Sequence, residues 1–78
     1  MTCPLTDAPR RCPLRLCAVD PQLPQHLRRR LIELGLHDGT ELSLDRTAIG
    51  GACLICIGAT RYVIDRQTAS RLTVATVS

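Results

Sequence analysis

At 78 residues the chain has room for one domain, near the lower size limit at which a single core holds without disulfides or metal. Apolar residues make up 45% of it, which excludes a disordered chain, yet there is one Tyr and no Phe or Trp, so the core must be built from Leu, Ile, Val, Ala and Cys. The net charge of +3 rests on ten cations that are all Arg, interspersed with acids except at Arg28-Arg29-Arg30, a distribution that argues against a dedicated phosphate-gripping face.

Residues 1–13 are rich in Pro and polar breakers and are expected to form an irregular lead-in to a domain over residues 14–78. From Leu14, an apolar side (Leu14, Leu16, Ala18) alternates with a mixed one (Arg15, Cys17, Val19), the period-2 signature of a strand. Asp20-Pro21 stops it, and Pro24 suits the first turn of a helix, where its missing N–H costs nothing. Leu27, Leu31 and Leu34 then fall at i, i+4 and i+7 with Ile32 beside them, while Arg28, Arg29 and Glu33 take the other side, an amphipathic helix of about three turns. Gly35 is placed to end it in a left-handed conformation.

After an Asp38-Gly39 turn, Thr40 to Asp45 alternates again with Leu42 and Leu44 inward. A Gly50-Gly51 loop leads into Ala52–Ile57, apolar on both sides and so read as a strand covered on both faces. Gly58-Ala59-Thr60 is short enough for a hairpin into Arg61–Ile64. Asp65 is a candidate cap for one helical turn through Ala69, and Leu72–Val74 a closing strand. The expected architecture is mainly β: a small five-stranded, closed or nearly closed barrel with one amphipathic helix over an opening and a short helical turn, closure being the usual way to remove exposed edges.

The longest apolar run, Ala52 to Ile57, is far short of the roughly 20 residues of a membrane helix. Pro and Arg occupy the N-terminus where a signal peptide carries its apolar stretch, so the expected location is the cytoplasm. Five cysteines, an odd number, then argue for reduced thiols rather than a disulfide framework.

The run Arg30-Leu31-Ile32-Glu33-Leu34-Gly35-Leu36-His37-Asp38-Gly39-Thr40-Glu41-Leu42 resembles the "R-L-x-x-L-G-L-x-x-G-T-x-V" core of FeoA, the small cytosolic protein family of bacterial ferrous-iron uptake. Ile49-Gly50-Gly51, Gly58 and the segment from Arg61 to Val74 are similar to that family's glycine loop and closing "L-x-R-x-x-A-x-x-I-x-V". The likeness runs from about residue 14 to 74 with spacing preserved. It departs at Ala48-Ile49, where the family often has a proline before the loop glycine, and at Leu5 to Arg15, which holds no glycine. The resemblance implies a Src-homology-3-like barrel whose role is to bind and modulate the membrane transporter FeoB through its cytosolic GTPase-containing region.

The Cys53-Leu54-Ile55-Cys56 pair has metal-site spacing, but on a strand a step of three covers about 10 Å and puts the side chains on opposite faces. Zinc needs its thiolates about 2.3 Å from one point, and a disulfide needs Cα atoms within about 7 Å. These cysteines are therefore read as packing residues, and no metal or cofactor ligand is assigned. A cross-strand site with Cys17 depends on their faces coinciding. Cys3 and Cys12 are expected to be exposed, which would let two copies cross-link on oxidation. His26 and His37 lie at the two ends of the helix, about 16 Å apart and too far to share a ligand.

Arg28, Arg29 and Arg30 are the candidate partner-binding residues, since a planar guanidinium fork suits carboxylates. Without aromatic neighbours they suit neither nucleic acid nor proline-rich peptides. No catalytic constellation is present, so a non-enzymatic accessory protein is expected, with self-association as a further expectation. The alternative is a cysteine-based metal-binding module or metallochaperone.

Overall fold

The computed structural model describes residues 1–77. In chain order they form β1 (Thr2–Pro4), a 3-10 turn (Leu5–Asp7), β2 (Leu14–Val19), α1 (Gln25–Glu33), β3 (Glu41–Thr47), β4 (Cys53–Ile57), β5 (Thr60–Ile64), α2 (Arg66–Ala69) and β6 (Leu72–Thr76). The strands make one six-stranded antiparallel sheet in the order β1-β6-β2-β3-β4-β5. No helix among the described residues is long and apolar enough to cross a membrane.

Two expectations are corrected. The strands number six, because Thr2–Pro4 pairs with β6 in the register Thr2↔Ala75 to Pro4↔Thr73. Leu5, next in the chain, is fully buried, so the N-terminal segment contributes to the core. The sheet is also not closed: α2 intervenes between β5 and β6 and carries the chain away, so β6 pairs with β1 and β2 and leaves β5 as an edge.

The core gathers Leu5, Leu14, Leu16, Leu36, Leu44, Cys53, Ile55, Leu72 and Val74, all nearly inaccessible, under the curved sheet. At about 1.5–3 kcal/mol per fully buried Leu, Ile or Val side chain, this aliphatic set compensates for the missing aromatics. β3 links the two halves of the sheet: Glu41 and Leu42 pair with β2, while Ser43 to Thr47 pair with β4. Its partner registers shift between Leu44 and Arg46, as expected of a strand that must bend.

A second register shift, between Leu16 and Ala18 against β6, changes the expected facing of β2. Leu14 and Leu16 are inward as read, but beyond the bulge Ala18 is exposed and Val19 packs against the core. On β4 the full covering expected for both faces holds for one: Cys53 and Ile55 are buried and Ile57, on the same face at the end of the strand, packs against the core, whereas Leu54 and Cys56 on the other face are half-exposed.

The local signals in the helices are realised closely. Pro24 precedes α1, and Gly35 follows it at φ +89°. The Asp65 carboxylate caps α2, accepting from the Thr68 amide at 3.0 Å and the Thr68 hydroxyl at 2.7 Å. Gly51, at φ +91°, is required twice over: the left-handed backbone excludes most side chains, and a Cβ there would lie 2.6 Å from Arg66 Cδ.

Candidate functional site

α1 buries Leu31 and packs Leu27 and Leu34 against the core, which leaves a groove along each flank. One, of about 490 Å³, is lined by Ala18, Val19, Arg28, Leu31, Ile32, Leu36, His37 and Asp38. The opposite one, of about 320 Å³, runs between Leu27, Arg30 and Leu34 on α1 and Ala52, Val63, Ile64 and Asp65 at the end of β5. Ile32 and Val63 are 62% and 66% exposed, large apolar side chains beside these grooves. A mostly apolar trough with a few charged groups at its rim is what a partner's side chain can enter and be oriented in.

The three candidate arginines do not share one surface. Successive helix residues are about 100° apart, so Arg28 lines the first groove, Arg30 the second, and Arg29 projects between them, exposed. Arg28 is half-buried and its Nη2 donates to the Asp20 carbonyl at 3.1 Å. That carbonyl belongs to a small junction in which Arg71 Nη1 meets Asp20 Oδ2 at 2.6 Å and the Asp20 amide donates to the Arg71 carbonyl. The Gln22 amide, then Arg71, holds the Asp20 carboxyl below its usual range. Arg28 therefore helps to fix the start of α1 to the end of α2, while Arg29 and Arg30 carry accessible charge. Sequence reasoning missed Ile32 as a surface residue because the 3.6-residue period, read without neighbours, placed it beside the buried stripe.

The cysteines are dispersed. Cys53 is inaccessible, and burial pushes its thiol above the ordinary range. Cys56 is half-exposed on the other face of the same strand. Cys17 is exposed on β2, and β3 lies between β2 and β4, so it meets neither. Cys3 and Cys12, expected on the surface, are half-buried: Cys3 packs against the core from β1, and Cys12 Sγ is 3.4 Å from the Arg10 carbonyl. All five are free thiols. His26 and His37 are both exposed, one in the first turn of α1 and one beyond its end. Among the described residues no three His, Cys, Asp or Glu side chains are grouped as metal ligands.

Solved structures share this fold. A crystal structure of the iron uptake regulatory protein FeoA superposes with a TM-score of 0.82 at 21% identity, over 99% of each chain. FeoA from Chlorobium tepidum gives 0.83 at 24% identity, over 95% of this chain and 70% of that one. A Stenotrophomonas maltophilia FeoA complexed with zinc, described as a procaryotic SH3 domain protein, gives 0.71 at 26% identity, over 99% and 89%. No curated protein matches the sequence. The FeoA domain as a family matches residues 3–76, from β1 through the last strand, and the chain accordingly belongs to the FeoA family.

Proposed function

We propose that this chain is a non-enzymatic accessory protein of ferrous-iron uptake that binds the cytosolic, GTPase-containing region of a FeoB-type transporter and modulates it from the cytoplasm. The observation that carries this reading is FeoA membership over nearly the whole chain, a family tied to iron transport. The α1 surface is the docking element in this proposal: Ile32 supplies an apolar anchor beside the larger groove, which Arg28 also lines, Arg29 faces acidic groups on the partner next to it, and Arg30 meets the partner only where it reaches across to the opposite flank.

Calorimetric titration with the cytosolic region of the FeoB from the same genome, with and without guanine nucleotide, is the direct test. Saturable binding is expected, weakened about tenfold or more by Ile32→Glu, as for a central apolar anchor. Absence of heat and of co-elution under both nucleotide conditions removes the proposal.

The second reading, a cysteine-based metal-binding module, is favoured by the zinc complex of the Stenotrophomonas relative. In this chain Cys53 and Cys56 turn to opposite faces and, among the described residues, no three His, Cys, Asp or Glu side chains are grouped, so a metal held by three or more protein ligands would draw donors from more than one molecule. Elemental analysis of protein purified under reducing conditions separates the readings: stoichiometric zinc or iron that resists mild chelation supports the second.

A further inference from the structure

We infer that the free edge of β5 pairs antiparallel with the β5 edge of a second copy of this chain, centred on Val63, to form a two-fold dimer with a sheet continuous through both molecules. β5 is the last strand of the sheet. Ile57 pairs with Thr60 across a two-residue turn, Gly58-Ala59, so this first pair is hydrogen-bonded. By the alternation of an antiparallel ladder, Tyr62 and Ile64 are the next residues bonded to β4. Arg61 and Val63 therefore aim their N–H and C=O groups away from the sheet, and among the described residues no turn, loop or cap bond reaches them.

The opposite edge is protected differently. β1 is three residues long and ends in Pro4, which has no N–H to offer. β5 is Thr-Arg-Tyr-Val-Ile, five residues of mostly strong strand formers without Pro or bulge.

The register follows from the side chains. Centring the pair on Val63 sets Val63 opposite Val63 of the second copy, and Arg61 of each copy opposite Asp65 of the other. All three are exposed in the single chain. Asp65 is still extended, at φ −63° and ψ 156°, and its two oxygens accept from Thr68 with lone pairs to spare. Leu54 is the β4 neighbour of Val63, so an aliphatic row Leu54, Val63, Val63, Leu54 crosses four strands between two ion pairs. Shifting the centre to Tyr62 would face Arg61 with Val63 and leave the charges unmatched. A surface that complements itself about a two-fold axis closes as a dimer instead of growing into a fibre.

Sedimentation equilibrium of the full chain under reducing conditions, from about 10 µM to about 1 mM, the range of weak small interfaces, tests it. A monomer–dimer equilibrium is expected. The Arg61 and Val63 amides should exchange with solvent about threefold or more slower at the upper concentration, as the monomer fraction falls, with Tyr62 and Ile64 little changed. Val63→Pro deletes the outward N–H without removing a bond to β4, and Arg61→Glu sets two carboxylates opposite each other. Each should weaken the dimer at least about tenfold with an unchanged circular dichroism spectrum, and Arg61→Glu decides alone if Val63→Pro does not fold. A chain still monomeric at about 1 mM, a dimer indifferent to the variants, or an open-ended series of oligomers would each overturn the inference.

Discussion

The two faces of β4 are built from nearly the same residues and do different things. Cys53 and Ile55 are sealed in the core, while Leu54 and Cys56, their immediate neighbours, are half-exposed on the outer surface. A pair with the spacing of a metal site is thus split into one inert packing thiol and one accessible thiol. The lesson is that spacing carries chemistry only through backbone shape: on a turn the two sulfurs converge, on a strand they part.

The largest test of this contrast is truncation on the inner face. Ile55→Ala should cost about 2–5 kcal/mol, since the surrounding core cannot fully collapse, and Leu54→Ala distinctly less; urea titration of both checks the difference. Gly51→Ala, in the loop that feeds β4, combines a left-handed backbone with a collision on Arg66. It should cost about 1–2 kcal/mol for the backbone alone, read as a fall in melting temperature of about 4–8 °C per kcal/mol in a chain of this size.

Asp65→Ala removes the α2 cap and should cost about 0.5–2 kcal/mol. The same carboxyl sets a pH dependence. The Thr68 hydroxyl, then the Thr68 amide, lowers its pKa from the ordinary 3.8. Its contribution is therefore present above that value and is lost as pH falls through the lower, folded-state value. Thermal melts across pH 2–6 should show that acid loss reduced in Asp65→Ala, while the inner face of β4, which has no carboxyl, adds none of its own.

The smallest effect expected on stability is Cys56→Ser, near zero, against about 1–3 kcal/mol for Cys53→Ser, which leaves a buried hydroxyl in need of a partner. Thiol labelling sharpens the same contrast without mutation: Cys56 should react in the folded protein, and Cys53 only once denaturant opens the core. Equal labelling of the two would mean that β4 does not lie as described.

Much of the fold was legible because its signals are local. Pro24, the Leu27-Leu31-Leu34 stripe and Gly35 bound α1; Gly58-Ala59 and Asp65 mark the hairpin and the second cap. The misses are all non-local. β1 is three residues with a terminal Pro, too short to show a period, and it is a strand because β6, some 70 residues away in sequence, offers it an edge. The bulge near Cys17 reverses the facing of Ala18 and Val19, and nothing in their own identity announces it. The candidate site divides in the same way: Arg28, Arg29 and Arg30 are adjacent in the chain, but helical geometry sends them to different surfaces, and Ile32 beside the larger groove became visible with the packing around it.

By itself the sequence determined the elements, their turns and caps, the aliphatic core and the opposition of Cys53 to Cys56, since each follows from backbone sterics or from a period of 2 or 3.6 residues. Tertiary structure decided whether the sheet closes, which edge stays open and which apolar side chains face solvent. Those depend on which distant strand wins each edge, and pairing between remote segments leaves no periodic trace in either of them.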